Sequence, residues 1–360
     1  MSITLEEIAK VADVSIATVS RVLTNSNHPI SEKTRFRIKK LAEEMGYKPN
    51  LVARSLRTDR TYTVGIIADD IVSPFPPPII RGIQDILTKH NYVGLIVNAD
   101  RNPEIEKDVI DTLLSRPVDG IIFVESGHRV ATKVLEQSNK PYVFVHRLFE
   151  TPIKNSVVPD EAYGAALAVK HLVMLGHRRI AHIRGPVRWF ASEGRLAAYR
   201  SVLETEGIAI DSTLIESGDW EVESGYEAAT RLLALEVPPT AIFSANDMMA
   251  IGAIYAIQNA GLRIPEDIAV VGYDNREVAW TIKPNLTTVN LPVYEMGRTA
   301  AELLLKQLQD GMQVLEEVRI KGQLFIRESC GADESLRTKD KSNFGIIIRK
   351  VVYENQPENK

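Results

Sequence analysis

The sequence predicts an α/β protein in two parts, an N-terminal helix-turn-helix module followed by a two-lobed body of doubly wound parallel sheets. Three observations carry that expectation. Residues 1–46 hold three stretches of helical periodicity, each with its own cap. Residues 61–290 alternate short, nearly continuous apolar runs with longer amphipathic ones. The chain has 360 residues, more than one hydrophobic core usually serves.

The first helix starts at Thr4-Leu5-Glu6-Glu7, a capping box in which the Thr4 hydroxyl covers the Glu7 amide and the Glu7 carboxylate reaches back. Leu5, Ile8, Ala9 and Ala12 recur at helical spacing until Asp13-Val14-Ser15 interrupts. Ser15 then caps a second helix through Ile16–Leu23. Two short helices joined by a tight turn make a helix-turn-helix. Val14, Val19 and Val22 are expected to face its core, leaving Ile16, Ala17, Ser20 and Arg21 outward. That face suits a DNA major groove: Arg21 offers a fork to guanine O6 and N7, Ile16 and Ala17 meet thymine methyls, and Thr18 and Ser20 reach phosphates or base edges. A third helix runs from Ser31 to Met45, with Phe36, Ile38, Leu41, Ala42 and Met45 as its apolar positions and Gly46 as its stop. Beyond it, Asn50 can cap a helix of about two turns, too short to persist alone in water.

Charge agrees with that division. Residues 1–60 carry 11 Lys/Arg against 7 Asp/Glu, while the whole chain has a net charge of −4, so a basic module precedes an acidic body.

Leu5 to Leu23, followed by Tyr47-Lys48-Pro49-Asn50-Leu51-Val52-Ala53-Arg54-Ser55-Leu56, resembles the N-terminal signature of the lactose-repressor/galactose-repressor family of bacterial transcription regulators. The resemblance implies a hinge helix that pairs with its dimer mate in the minor groove. Leu56 matches the wedging leucine there and Ala53 the small residue beside it. Asp13 stands where many members have Gly, which Asp tolerates in a left-handed turn. The likeness continues to about residue 330 through Asp70-Ile71-Val72-Ser73-Pro74-Phe75, Arg116–Ile122, Gly176–Ala181, Asn246–Ala250 and Val271-Gly272-Tyr273-Asp274. It implies a periplasmic-binding-protein-like body whose two lobes are joined by three crossing strands, the chain leaving the first lobe near Pro159 and returning near Leu291.

The body reads the same way from pattern. Val64–Ala68, Val93–Val97, Gly120–Val124, Tyr142–Val145, Ile180–Ile183, Ala241–Ser244 and Ala269–Gly272 are buried parallel strands by composition, separated by helical segments. The expected domains are 1–48, the helix-turn-helix; 49–60, hinge and linker; 61–330, the body, with lobe 1 at about 61–159 and 291–322 and lobe 2 at about 160–290. The tail, 331–360, is charged and expected to be unstructured; it has no leucine heptad to drive a tetramer.

Ligands of open α/β sheets bind outside the carboxyl ends of the strands. Those ends nominate Asp70, Phe75, Asp160, Arg195, Trp220, Asn246 and Asp274. Arg195, Asn246 and Asp274 can pair with vicinal hydroxyls, and Phe75 and Trp220 can cover an apolar ring face. The family positions of Arg195 and Asp274 contact effectors; Asn246 can equally be a helix cap. Pro76-Pro77-Pro78 stands where relatives often place a second aromatic, and Ala198 replaces a common Gly, so effector identity does not transfer.

Other functions are disfavoured. The single cysteine, Cys330, excludes an intrachain disulfide framework and a Cys-based zinc finger and suits a reducing compartment. The N-terminus lacks a secretory pattern and no apolar run approaches the roughly 20 residues of a membrane span, so a cytoplasmic protein without membrane contact is expected rather than a sugar-transport receptor. His177 and His182 have no neighbouring metal ligands in sequence, and no nucleophile-elbow, His-Glu-x-x-His or Gly-rich phosphate motif occurs, so neither enzyme, metal nor cofactor is expected. The expectation is a homodimeric, ligand-responsive repressor of carbohydrate-utilisation genes, binding a pseudo-palindromic double-stranded operator under the control of a sugar. A nucleobase or sugar phosphate is the alternative effector.

Overall fold

The computed structural model describes residues 3–23, 28–47, 60–128, 140–148, 155–311 and 317–338. The chain divides into two compact units, Met1–Thr61 and Tyr62–Lys360.

The described residues of the first unit form three helices, α1 (Leu5–Ala12), α2 (Ile16–Leu23) and α3 (Glu32–Glu44). The capping box forms: the Glu7 amide donates to Thr4 Oγ1 at 3.3 Å and the Thr4 amide to Glu7 Oε2 at 2.7 Å. Those hydrogen bonds, led by the Thr4 amide, hold the Glu7 carboxyl below its ordinary range. Asp13 ends α1 in the left-handed region at φ 49°, as a short polar side chain allows. Ser15 and Ser31 cap α2 and α3 through the amides of Thr18 and Thr34, at 3.1 and 3.2 Å. Ile8, Ala9, Ala12, Val19, Val22, Ile38 and Ala42 form the core, with Val14 packed at its edge. Phe36 does not join it and is 71% exposed. Two residues before Ile38 is a rotation of about 200° around a helix, which carries Phe36 to the far side from Ile38 and Ala42.

The second unit contains two six-stranded sheets. The first is built from β1 (Thr63–Ala68), α4 (Pro76–Lys89), β2 (Val93–Asn98), α5 (Pro103–Leu114), β3 (Gly120–His128), β4 (Tyr142–Leu148) and β5 (Ser156–Pro159). The second follows with α6 (Glu161–Met174), β6 (Ile180–Arg184), α7 (Phe190–Thr205), β7 (Ile215–Ser217), α8 (Val222–Leu233), β8 (Ala241–Ser244), α9 (Asp247–Asn259), β9 (Ala269–Asp274), α10 (Val278–Thr281) and β10 (Thr287–Asn290). The chain then returns to the first lobe with α11 (Val293–Asp310) and β11 (Glu317–Ile320), and crosses once more to β12 (Leu324–Phe325). Strand orders are β11-β5-β4-β3-β1-β2 and β12-β10-β9-β8-β6-β7. Among the described residues only β12 is antiparallel, to β10. Apolar clusters lie on both faces of each sheet, which is why the central strands read as continuous apolar runs; β2, expected to be buried, is instead largely exposed at the sheet edge.

The chain therefore passes between lobes after Pro159, after Asn290 and after Ile320. Helix pairs on the two sheets approach closely through glycine. A Cβ at Gly252 of α9 would lie 2.0 Å from the Val222 carbonyl oxygen of α8, and one at Gly297 of α11 would lie 2.0 Å from that of Ile79 in α4.

The first residues of the tail depart from the expected lack of structure. Ala332 is buried, Asp333 caps a short 3₁₀ turn at Glu334–Leu336, and the Thr338 amide donates to the Ile326 carbonyl at 2.8 Å. The cause is apolar: Cys330 and Ala332 complete a core of the second lobe. Residues 339–360 lie outside the described residues.

In that lobe His182 is fully buried and stacked between Phe243, at 4.8 Å, and Tyr199, at 5.1 Å. Its Nδ1 faces the Phe243 carbonyl at 2.9 Å. Burial lowers its pKa to about 3, against the opposing pull of that carbonyl. Between the unfolded value near 6.5 and about 3, the unfolded chain holds a proton that the folded chain lacks, so stability falls as pH falls through that window. His182→Phe, which keeps the stack, should remove about 2 kcal/mol of the stability lost between pH 7 and pH 5. Urea unfolding at the two pH values checks this, and an unchanged loss would contradict it.

Candidate functional site

Two sites emerge, one in each unit. On α2, Ala17 and Arg21 are exposed, Ile16 is 48% exposed, and Thr18 and Ser20 are half-buried, while Val19 and Val22 point inward. Ile16, Ala17 and Arg21 thus point outward as expected, whereas Ser20 is partly covered. Thr18 also serves the cap, its hydroxyl 2.8 Å from that of Ser15. Asn50, Ala53 and Leu56 lie outside the described residues.

In the second unit, a cavity of about 600 Å³ opens where the carboxyl ends of the two sheets meet. Each sheet contributes at the point where its strand order reverses, between β1 and β3 and between β6 and β8. Among the sequence candidates, Phe75, Arg195, Trp220, Asn246 and Asp274 line this cavity. Asp70 and Asp160 are not in its wall. Asp70 accepts from the Val72 amide at 3.0 Å and faces Arg101 at 3.4 Å. Asp160 caps α6, accepting from the Tyr163 amide at 3.0 Å.

The lobe-2 wall is organised around Arg195 of α7. Its Nε donates to Glu161 Oε2 at 2.7 Å, and Nη1 donates to the Ala245 carbonyl and lies 3.8 Å from Asp274 Oδ1. The guanidinium stacks on the Tyr273 ring at 3.7 Å. Nη2 makes no hydrogen bond among the described residues. Burial depresses the Arg195 pKa, but its polar surroundings, the Glu161 carboxylate first, more than reverse this and leave it above its ordinary value. Asn246 is both cap and wall: Oδ1 accepts from the Met249 amide at 2.9 Å and Nδ2 donates to the Trp220 carbonyl at 2.8 Å. Trp220 lies over Gly185, where a Cβ would fall 2.2 Å from its ring, and meets Trp189 edge-on at 5.8 Å. Asp274, at φ 107°, is held well above the carboxylate range by burial. Behind it Asp247 accepts from the Thr288 hydroxyl and the Arg276 amide, at 2.5 and 2.7 Å, and burial pushes it up to about 7.

The lobe-1 wall contains residues that the sequence candidates omit. Asp69 accepts from the Ser126 amide and hydroxyl at 3.0 and 2.9 Å, bridging β1 and β3, and burial raises its pKa against those bonds. His146 packs edge-on against Phe75 at 5.6 Å, with Nδ1 3.1 Å from the Glu125 carbonyl. Burial first, then the Arg195 charge, lowers it to about 4, so it is neutral at physiological pH. With Nδ1–H given to that carbonyl, Nε2 is an acceptor. The Glu125 carboxylate is met by fully buried Arg147 at 2.9 Å. The available signal was simple: Asp69, Glu125 and His146 are each the first polar residue after an apolar run.

Among the described residues no group of three or more His, Cys, Asp or Glu is placed to hold a metal ion, and no helix is long and apolar enough to cross a membrane.

A helix-turn-helix unit in the same chain as a two-lobed body with a ligand-sized cleft defines a ligand-responsive DNA-binding regulator. Residues 4–50 match the bacterial regulatory proteins of the lacI family, and residues 169–330 match the periplasmic binding protein-like domain. The HTH-type transcriptional repressor CytR of Escherichia coli (strain K12) is 36% identical, over 91% of this chain and 96% of its own length. The lac repressor dimer bound to operator and the anti-inducer ONPF superposes with a TM-score of 0.73 at 31% identity, covering 92% of this chain and 100% of that one. A complex of the transcriptional regulator CelR with cellobiose gives 0.67 at 32% identity, covering 91% and 99%. The chain belongs to the lacI family of transcription repressors.

Proposed function

We propose that this repressor binds a pseudo-palindromic operator as a homodimer in the cytoplasm, without enzymatic activity, and that a sugar in the cleft sets its affinity for DNA. The observation that carries the reading is the cleft wall: a guanidinium with one free fork, an amide and a carboxyl beside Phe75, Trp189 and Trp220. Paired polar groups next to aromatic faces suit a hydroxylated ring. The cellobiose complex of a structural relative supports a sugar. A nucleobase or nucleoside fits the same aromatic wall and is the second reading. Asp70 and Asp160 serve the site from behind its lining, as loop and helix caps. Asn50, Ala53 and Leu56 are assigned to DNA contact by their match to the family signature alone. A thermal-shift screen of sugars and nucleosides tests the effector, since a bound molecule stabilises the fold by mass action. Each hit is then scored for its effect on operator binding. Hits confined to non-carbohydrates would replace the sugar.

The dimer face has a candidate in β2, an edge strand whose Val93, Leu95 and Ile96 are 61%, 36% and 39% exposed. An exposed apolar edge strand invites a second copy. Leu95→Asp with Ile96→Asp should cost about 3 kcal/mol or more of association free energy, because a buried unpaired carboxylate must be desolvated. Sedimentation velocity should then show a monomer; an intact dimer would place the interface elsewhere.

A further inference from the structure

We infer that Asp119 is a positioning residue for operator binding: by holding Tyr62 in a left-handed turn it fixes the direction in which the chain leaves the body, and so the half-site spacing that the repressor accepts. The inference rests on the reading of the protein as a homodimer on a pseudo-palindromic operator, and adds to it the residue that measures the operator's length.

Tyr62 is the first residue of the second unit and stands directly before β1. Its φ is 55°, in the left-handed region. Glycine, asparagine and aspartate enter that region readily, whereas a bulky tyrosine crowds its own backbone there. Such a conformation persists only where the surroundings over-determine it, and it marks sites where strain serves function. Three contacts hold this one. The Tyr62 amide donates to Asp119 Oδ2 at 2.9 Å, its carbonyl accepts from the Val93 amide at 2.9 Å, and its ring meets that of buried Tyr92 at 5.3 Å. Asp119 is itself fixed, because its amide donates to the Thr63 carbonyl at 2.8 Å.

The ladders of β1 begin after the turn, at Thr63 with β2 and at Val64 with β3. What the turn determines is therefore the course of the chain before them. That course runs through residues 48–59 to the unit that carries α2. In a homodimer the two exits are related by the two-fold axis, so a redirection at Tyr62 acts on both half-sites at once. The effector cleft lies at the other end of the same strands, where Asp69 of the β1 end meets Ser126 of β3. Six residues of β1 span about 20 Å, so removing the Asp119 carboxylate leaves the cleft wall as it was.

The test uses the full chain and the duplex that wild type selects from a random library. Three further duplexes carry one base pair more at the centre, one base pair fewer, or a single half-site. One base pair moves a half-site by about 3.4 Å and turns it by about a tenth of a revolution. Wild type should lose at least about tenfold in affinity on either change of spacing. Asp119→Ala should bind the three spacings within about threefold of one another, while its affinity for the single half-site stays within about twofold of wild type. Asp119→Asn keeps an acceptor oxygen for the Tyr62 amide and should retain the wild-type preference. Tyr62→Gly, which enters the left-handed region freely and leaves it as freely, should also lose the preference, and is read instead if Asp119→Ala does not melt cooperatively. A folded Asp119→Ala that keeps the tenfold preference overturns the inference. So does one that weakens as much on the single half-site as on the whole operator, and so does an asparagine variant as indiscriminate as alanine. Failure of the operator reading looks different: wild type itself then tells no spacing from another, and the inference falls with it.

Discussion

Arg195→Ala and Asp274→Ala are expected to abolish the response to effector while leaving operator affinity within a few-fold of wild type. Each removes groups that line the cleft. A charged or charge-assisted hydrogen bond contributes about 1.5–3 kcal/mol, so losing the Arg195 fork should weaken effector binding roughly 100-fold. Neither residue belongs to the unit that carries α2. Arg195→Ala also leaves Glu161 buried without its closest cation, so melting of each variant is part of the measurement. Asp274→Asn, which preserves shape, separates loss of contact from loss of fold. Calorimetry showing unchanged effector affinity in both alanine variants would remove them from the site.

Arg21→Ala should cost about 1–3 kcal/mol on the specific operator and much less on random DNA. The side chain is exposed on α2, on the same outward face as Ile16 and Ala17. A bidentate base contact discriminates sequences, whereas a phosphate contact weakens all DNA alike and lowers the salt dependence by about one ion. Measuring both DNAs across a salt series tells them apart. Equal losses on both would make Arg21 a backbone contact.

The elements legible in the sequence are those determined by neighbours in the chain. Thr4 with Glu7, Ser15 with Thr18 and Ser31 with Thr34 act over three residues, and the structure forms all three. Central strands such as Val64–Ala68 are equally readable, since burial on both faces leaves them apolar throughout. The shortest edge strands were not: β7 and β12 have three and two residues, too few for any period to show. Phe36 illustrates a different limit, because its apolar character says nothing of rotation about the α3 axis. In the cleft, the lobe-2 residues could be picked from strand ends. The lobe-1 wall was open to the same reading at Asp69, Glu125 and His146, but the likeness to the family points to Asp70, and only the packing of β1 beside β3 shows Asp69 reaching Ser126 across the switch point. Glu161 follows a helix cap and reads as an ordinary first-turn acid. Its bond to Arg195 spans thirty-four positions and exists only once α6 and α7 pack.

The threefold passage of the chain between lobes also sets an order of events at the ribosome. The second lobe emerges as one nearly continuous stretch and lacks only β12 and the residues around Cys330 when Asn290 appears. The first lobe begins earlier and finishes later, because Met296, Ala300, Ala301, Leu304 and Leu305 of α11 cover its sheet. Its β1 to β5 strands, made first, must wait with one apolar face covered only by α4 until the whole of the other lobe has been synthesised. The N-terminal half of the body is therefore where a nascent chain would recruit a chaperone, and a stalled or truncated product ending before α11 is the form most prone to aggregate.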